Sequence, residues 1–184
     1  MKKILTILAD GFEEIEAVAV VDVLRRAGFS VCLAGLDSAR VKGAHGMEIA
    51  ADALLEQVKD EAFDAVFLPG GLPGSTNLLA SDLVGAVLAG AAQRGAVVSA
   101  ICAAPIVLAK HGLLDGKTFT MYPGFDEYLN GLVPTEKPAE VCGNVVTGKG
   151  PGAVFDFAFK LAAALGADIS SLYGGMFVKL SAQE

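Results

Sequence analysis

Short apolar runs of strand type alternate along the chain with longer stretches of helical period. Lys3 to Ala9 is an apolar run broken at Asp10, and it reads as a first buried strand. Glu13 to Ala27 brings Ile15, Val18, Ala19, Val21 and Val23 round on helical spacing and stops at Gly28, a residue type that closes helices. Ser30 to Leu36 is the next strand, and Gly46 to Ala50 alternates apolar with polar as an edge or hairpin strand does. Ala65 to Leu68 is apolar throughout, the pattern of a strand covered on both faces. Ala96 to Ile101 is another such run, and it passes through Cys102 straight into helix-like Ala103 to Lys110. Thr118 to Met121 is strand-like. Gly143-Asn144, set between Val141-Cys142 and Val145-Val146-Thr147, marks a tight turn and predicts a small hairpin beside the main sheet. Ala153 to Leu165 is a helix introduced by Pro151 and closed by Gly166.

This β-α-β order predicts an α/β fold, a flavodoxin-like (Rossmann-like) sandwich with a mostly parallel central sheet and helices on both faces. Residues 1–184 read as one domain, because the length suits one core and no repeat, linker or low-complexity segment divides it.

Composition narrows the function. The net charge of −7 comes with no basic cluster to neutralise phosphates, which argues against nucleic acid as a partner. No run reaches the roughly 18 apolar residues of a membrane span, so a cytoplasmic protein without membrane association is expected. The apolar fraction of 53% leaves surface for a second copy, and a homodimer is expected. The three cysteines form no C-x-x-C pair and there are only two histidines, so neither a disulfide framework nor a His-rich metal site is expected.

In a doubly wound sheet, sites form at the carboxyl ends of the strands. Three such ends stand out: Asp10 to Glu16, Leu68 to Gly74, and Cys102. Cys102 sits at a strand-to-helix elbow, where a helix N-terminus favours thiolate, so its pKa is expected below the ordinary value of about 8.5. A cysteine in an apolar run also reads as a small core hydrophobe. Gly70 and Gly71 permit close backbone approach, and their amides with that of Ala103 could form an oxyanion hole, although Pro-Gly-Gly is also ordinary turn chemistry. The segment lacks the spacing of a dinucleotide site and the lysine of a P-loop, so no cofactor is expected there. Glu16, if it dips toward Cys102, would tend to stay protonated and donate to sulfur; helical period alone leaves open whether Glu13, Glu14 and Glu16 are instead solvated charges. His111 reads as a helix-end cation beside Gly112, and Cys32 and Cys142, inside strands, as passive. Tyr122, after the Thr118 strand, falls where it could approach the pocket.

These motifs in this order, Ile7 to Glu16, Val21 to Gly28, Leu68-Pro69-Gly70-Gly71, Ala100 to Pro105, and Gly150-Pro151-Gly152 with Phe155, resemble the ThiJ/PfpI superfamily, with the likeness strongest to its parkinsonism-associated protein deglycase branch. The resemblance implies a flavodoxin-like homodimer whose Cys102 is reactive and readily oxidised to the sulfinate. It implies Glu16 as the protonated acid paired with that cysteine, and Gly71 and Ala103 as oxyanion donors. The activities it implies are cofactor-independent glyoxalase and deglycase chemistry on small carbonyl substrates such as methylglyoxal, oxidative-stress protection and redox-dependent chaperoning; some relatives carry thiamine-related or peptidase labels. Many relatives have histidine before proline where this chain has Tyr122-Pro123. A tyrosine, with an ordinary pKa near 10, is a poor base at neutral pH, which disfavours proteolysis. Two functions follow: an enzyme in which Cys102 adds to a 2-oxoaldehyde, or a sensor read out through oxidation of Cys102.

Overall fold

A computed structural model describes residues 1–178; residues 179–184, the end of the span read as one domain, lie outside the described residues. The chain runs β1 (Lys3–Leu8), α1 (Glu14–Arg26), β2 (Ser30–Gly35), β3 (Arg40–Lys42), β4 (Glu48–Ala50), β5 (Ala53–Leu54) and α2 (Leu55–Val58). It continues through β6 (Ala65–Leu68), α3 (Gly74–Ala80), α4 (Asp82–Gln93), β7 (Val97–Ile101) and α5 (Pro105–Lys110). It closes with β8 (Ala139–Cys142), β9 (Val145–Gly148), α6 (Val154–Ala164) and α7 (Ser170–Met176).

Seven strands form one sheet in the order β5-β2-β1-β6-β7-β9-β8, parallel except for β8, which runs antiparallel to β9. The continuous apolar runs have the burial that the pattern predicts, because alternate side chains feed different cores. Ile4 and Phe67 join Val20 and Leu24 of α1 and Phe157 and Leu161 of α6 on one face. Leu5, Ile7, Val66 and Leu68 join Val84 and Leu88 of α4 and Val107 and Leu108 of α5 on the other. The flavodoxin-like sandwich expected from the element order is therefore present, and its strand order reverses between β1 and β6, the crevice where such folds carry their sites.

The Gly46 to Ala50 run forms β4, a hairpin strand as its alternation predicts, paired with β3 in a separate two-stranded ribbon. Three local expectations are corrected. The Asn144 hairpin is not beside the main sheet but is its end, β8–β9. Thr118 to Met121 contributes only a bridge from Thr120 to Thr135, because the Thr120 amide is taken by Thr147 Oγ1 at 2.9 Å. The helix after Cys102 starts at Pro105 rather than Ala103, with Cys102 to Ala104 in a turn. Among the described residues, no single helix is long and apolar enough to cross a membrane.

Candidate active site

Cys102 is the residue immediately beyond β7, and its φ of 62° lies in the left-handed region that non-glycine residues seldom occupy. Two hydrogen bonds grip it there. Its N–H donates to the Gly148 carbonyl and its own carbonyl accepts from the Tyr122 N–H, both at 2.9 Å. The elbow is thus built by the turn and its neighbours. Pro105 opens α5, where a missing N–H and a preset φ cost nothing.

Glu16 lies on α1 and is 0% exposed. It shares the inward stripe with Val20, Val23 and Leu24, one and two turns on, while the apolar Ile15 and Val18 of the same helix face outward at 55% and 52% exposure. A carboxyl therefore holds a position that packing alone would give to a hydrophobe. Its Oε2 accepts the Gly70 N–H at 2.8 Å, the carboxyl lies within hydrogen-bonding reach of the Cys102 thiol, and Oε1 is buried with no nitrogen or oxygen partner. Gly70 must be glycine for this: a Cβ there would sit 2.6 Å from both Cys102 Cβ and Glu16 Oε2. Gly71 has φ +91°, and a Cβ on it would come within 2.4 Å of the Glu13 nitrogen. The Gly71 and Ala103 amides both donate toward the Cys102 sulfur.

Burial pushes the Glu16 carboxyl up to about 7, with Glu13 adding to the shift and the Gly70 and Cys102 hydrogen bonds opposing it. Burial also pushes the Cys102 thiol up, to about 12, followed by the charge and hydrogen bond of Glu16; the Ala103 and Gly71 amides pull the other way. This runs against the expected low thiol pKa: burial first, and the Glu16 carboxyl second, outweigh the pull of the Ala103 and Gly71 amides. The two groups titrate as a pair, and between about pH 7 and about 12 that pair holds one proton.

The other candidates divide. Tyr122, 48% exposed, is joined to Cys102 through its backbone, while its ring lies against Gly150. Glu13 and Glu14 are buried rather than solvated, at 8% and 5% exposure. His45, whose position the sequence did not indicate, meets them: the Glu14 carboxylate accepts the His45 N–H at 2.7 Å and the Met47 N–H at 3.2 Å and lies 3.0 Å from His45 Nδ1. Burial raises the Glu14 pKa, but these hydrogen bonds outweigh it and hold the carboxyl below its usual range. Glu14 thereby ties the β3–β4 ribbon to the start of α1. His111 caps the end of α5 as expected, but not as a cation: its ring packs on Gly85, its Nε2 is buried without a partner, and burial, then Lys110, hold its pKa down. Cys32 lies inside β2, as expected, and burial raises its thiol; Cys142, expected within a strand, is instead the last residue of β8, at the Gly143-Asn144 turn.

Residues 2–164 match the DJ-1/PfpI family. The chain is similar to protein dj-1beta of Drosophila melanogaster, with 44% identity over 167 residues covering 89% of each chain. It superposes on the crystal structure of Drosophila melanogaster DJ-1beta with a TM-score of 0.91, covering 97% of this chain and 98% of that one at 41% identity. It is 36% identical over 154 residues, 83% of this chain and 82% of the relative, to the glutathione-independent glyoxalase DJR-1.2 of Caenorhabditis elegans. The crystal structure of oxidized Toxoplasma gondii DJ-1 matches with a TM-score of 0.91 over 96% of this chain and 98% of that one, at 34% identity. With this coverage over nearly the whole described chain, the resemblance read from the ordered motifs is met, and the chain belongs to the DJ-1/PfpI family.

Proposed function

We propose that the protein is a cofactor-independent glyoxalase or deglycase that acts through Cys102 on 2-oxoaldehydes such as methylglyoxal, or on their early adducts, and so protects against carbonyl and oxidative stress. The observation that carries this reading is the fully buried Glu16 carboxyl, held by the Gly70 N–H beside Cys102, with two amides directed at the sulfur. When a proton rests on Glu16 rather than on sulfur, Cys102 is a thiolate, the arrangement that the Gly71 and Ala103 amides favour. The thiolate adds to the aldehyde carbon, a C–S bond forms, and the carbonyl π electrons become an oxyanion that takes the proton from Glu16. The carboxylate, now a base, moves the hydrogen from C1 to C2, so that the aldehyde carbon is oxidised as the ketone carbon is reduced. Water then cleaves the thioester to a 2-hydroxy acid and restores the thiol. No external electron acceptor enters the balance, and Tyr122 has no part as a base. Kinship with the C. elegans glutathione-independent glyoxalase supports the reading.

Conversion of methylglyoxal to lactate without glutathione, followed against pH, tests it. kcat/KM should rise through an apparent pKa near 7, as the pair loses its first proton, and then level off. Absence of lactate would refute the proposal.

The same amides favour a second reading, as a redox sensor: they can hold the oxygens of a sulfinate on Cys102, and an oxidized relative is known in T. gondii. Under limiting peroxide, mass spectrometry should find oxygen first on Cys102, ahead of Cys32 and Cys142. Equal modification of the strand cysteines would remove the special status of the elbow.

We also infer that the protein is a homodimer. Ile15 and Val18 of α1 are exposed, and Val18 with Val21, Leu33 and Ile49 lines a largely apolar groove of about 300 Å³ rimmed by Asp22 and Arg25, which a second copy would cover. Sedimentation of wild type should give twice the chain mass, and of Val18→Asp the monomer mass.

A further inference from the structure

At the start of α1 two carboxylates are buried that the proposed reaction leaves unused. Glu13 and Glu14 are 8% and 5% exposed, and among the described residues no lysine or arginine pairs with either. The group that faces both is the imidazole of His45, from the loop between β3 and β4: its Nδ1 lies 3.0 Å from Glu14 Oε2 and 3.3 Å from Glu13 Oε2. Nδ1 carries at most one proton, and Glu14 is its hydrogen-bond partner. The Glu13 carboxylate is left aimed at the same nitrogen, with no hydrogen-bond donor of its own among the described residues. Burying a carboxylate in this way is costly, and a cation shared by both acids removes the cost.

The spacing is that of a ligand set. Two atoms each about 2.1 Å from one ion stand about 3.0 Å apart at right angles and about 3.4 Å apart at tetrahedral angles. The two measured separations, 3.0 and 3.3 Å, match these values, and all three ligand atoms lie within 4.8 Å of one another. The set is also held in place. Glu14 Oε1 accepts the His45 and Met47 N–H groups, which leaves Oε2 to the ring. The loop is pinned by the Ala44 N–H, which donates to the Phe12 carbonyl at 2.8 Å, and by the Gly43 N–H, which donates to the Met47 carbonyl at 2.7 Å. Gly43 makes the room, since a Cβ there would sit 2.3 Å from Glu14 Oε1.

We propose that Glu13, Glu14 and His45 form a site for a divalent transition-metal ion of the zinc class, completed by solvent and bridging the β3–β4 ribbon to the start of α1. An imidazole among the ligands selects such an ion over Ca²⁺ or Mg²⁺, which take oxygen ligands. Binding places the ring proton on Nε2, so that the Nδ1 lone pair meets the ion. Neither Cys102 nor Glu16 is a ligand, and the site stands independently of the glyoxalase reading. No sequence spacing announces it, because His45 and Glu14 are 31 residues apart.

Calorimetric titration of the untagged protein with Zn²⁺ tests the site, with wild type compared against His45→Ala, Glu13→Gln and Cys102→Ser. Wild type should bind Zn²⁺, and one ion per chain should remain in Cys102→Ser. His45→Ala and Glu13→Gln should each weaken that binding by about tenfold or more. In the ring ¹⁵N spectrum of the two histidines, Zn²⁺ should move the Nδ1 resonance of His45 and leave His111 in place. The His45 side chain is 71% exposed, so His45→Ala should fold and decides the matter even if Glu13→Gln does not. No binding by wild type, undiminished binding in folded His45→Ala or Glu13→Gln, or loss of all binding in Cys102→Ser, which would put the ion on the sulfur, would each overturn the proposal.

Discussion

Cys102→Ser should lower 2-oxoaldehyde turnover by about 10³-fold or more while leaving the fold intact. Serine is nearly isosteric, and the main-chain bonds that hold position 102, to Gly148 and from Tyr122, do not involve the side chain. The loss would therefore be chemical. A hydroxyl beside Glu16 does not ionise at any pH where the protein is folded, so no nucleophile remains to form the C–S bond. Lactate production from methylglyoxal, with near-UV circular dichroism as the control on structure, measures it. Retained turnover in a folded Cys102→Ser protein would remove the covalent mechanism. Turnover lost together with the near-UV signal would show that the thiol contributes to packing at the elbow as well.

Glu16→Gln should have the second largest effect and the more informative one. The amide is close in shape and can still donate a hydrogen bond toward sulfur, but it cannot exchange a proton, so turnover should fall by roughly 10² to 10⁴. Sulfinate formation on Cys102 under peroxide should survive, because it needs a donor rather than a shuttle. Measuring both on one preparation separates the two readings; unchanged turnover would sink the shuttle role given to Glu16. Stability should move the opposite way. The folded-state pKa of Glu16 is raised from 4.5 to about 7, so the folded protein binds that proton more tightly than the unfolded chain. The stability linked to it is complete below about pH 4.5 and is lost as the pH rises through about 7. At pH 8 wild type keeps a buried negative charge in the pair, and Glu16→Gln should be more stable by on the order of 1–3 kcal/mol; near pH 4 the two should unfold alike. Urea titrations at the two pH values test the sign. A Gln variant no more stable at pH 8 than wild type would show that the carboxyl does not carry its charge in a desolvated place.

The origin of that cost explains where pattern reading succeeds and where it stops. β1, β6 and β7 are evident as apolar runs because parallel strands covered on both faces admit little else, and their alternate residues do divide between the two cores. Helix α1 is evident from its period, but its facing is not. Ile15 and Val18 belong to the apolar repeat yet face outward, while Glu16 takes the buried place, an inversion of the kind found where function overrides packing.

Sequence by itself determined the class of the fold, the elbow cysteine, the glycine pair and the family, since these follow from local period, turn chemistry and the order of short motifs. Tertiary structure alone decided the direction of Glu16, the gap that Gly70 keeps open between it and Cys102, the joining of His45 to Glu14, and the sign of the Cys102 shift. Each of these depends on groups brought together from distant segments, Gly70 being 54 residues from Glu16 and His45 31 residues from Glu14, and on how much water the assembled fold excludes. The Ala103 and Gly71 amides do favour thiolate at Cys102, but the water excluded by the assembled fold, and after it the Glu16 carboxyl, outweigh them.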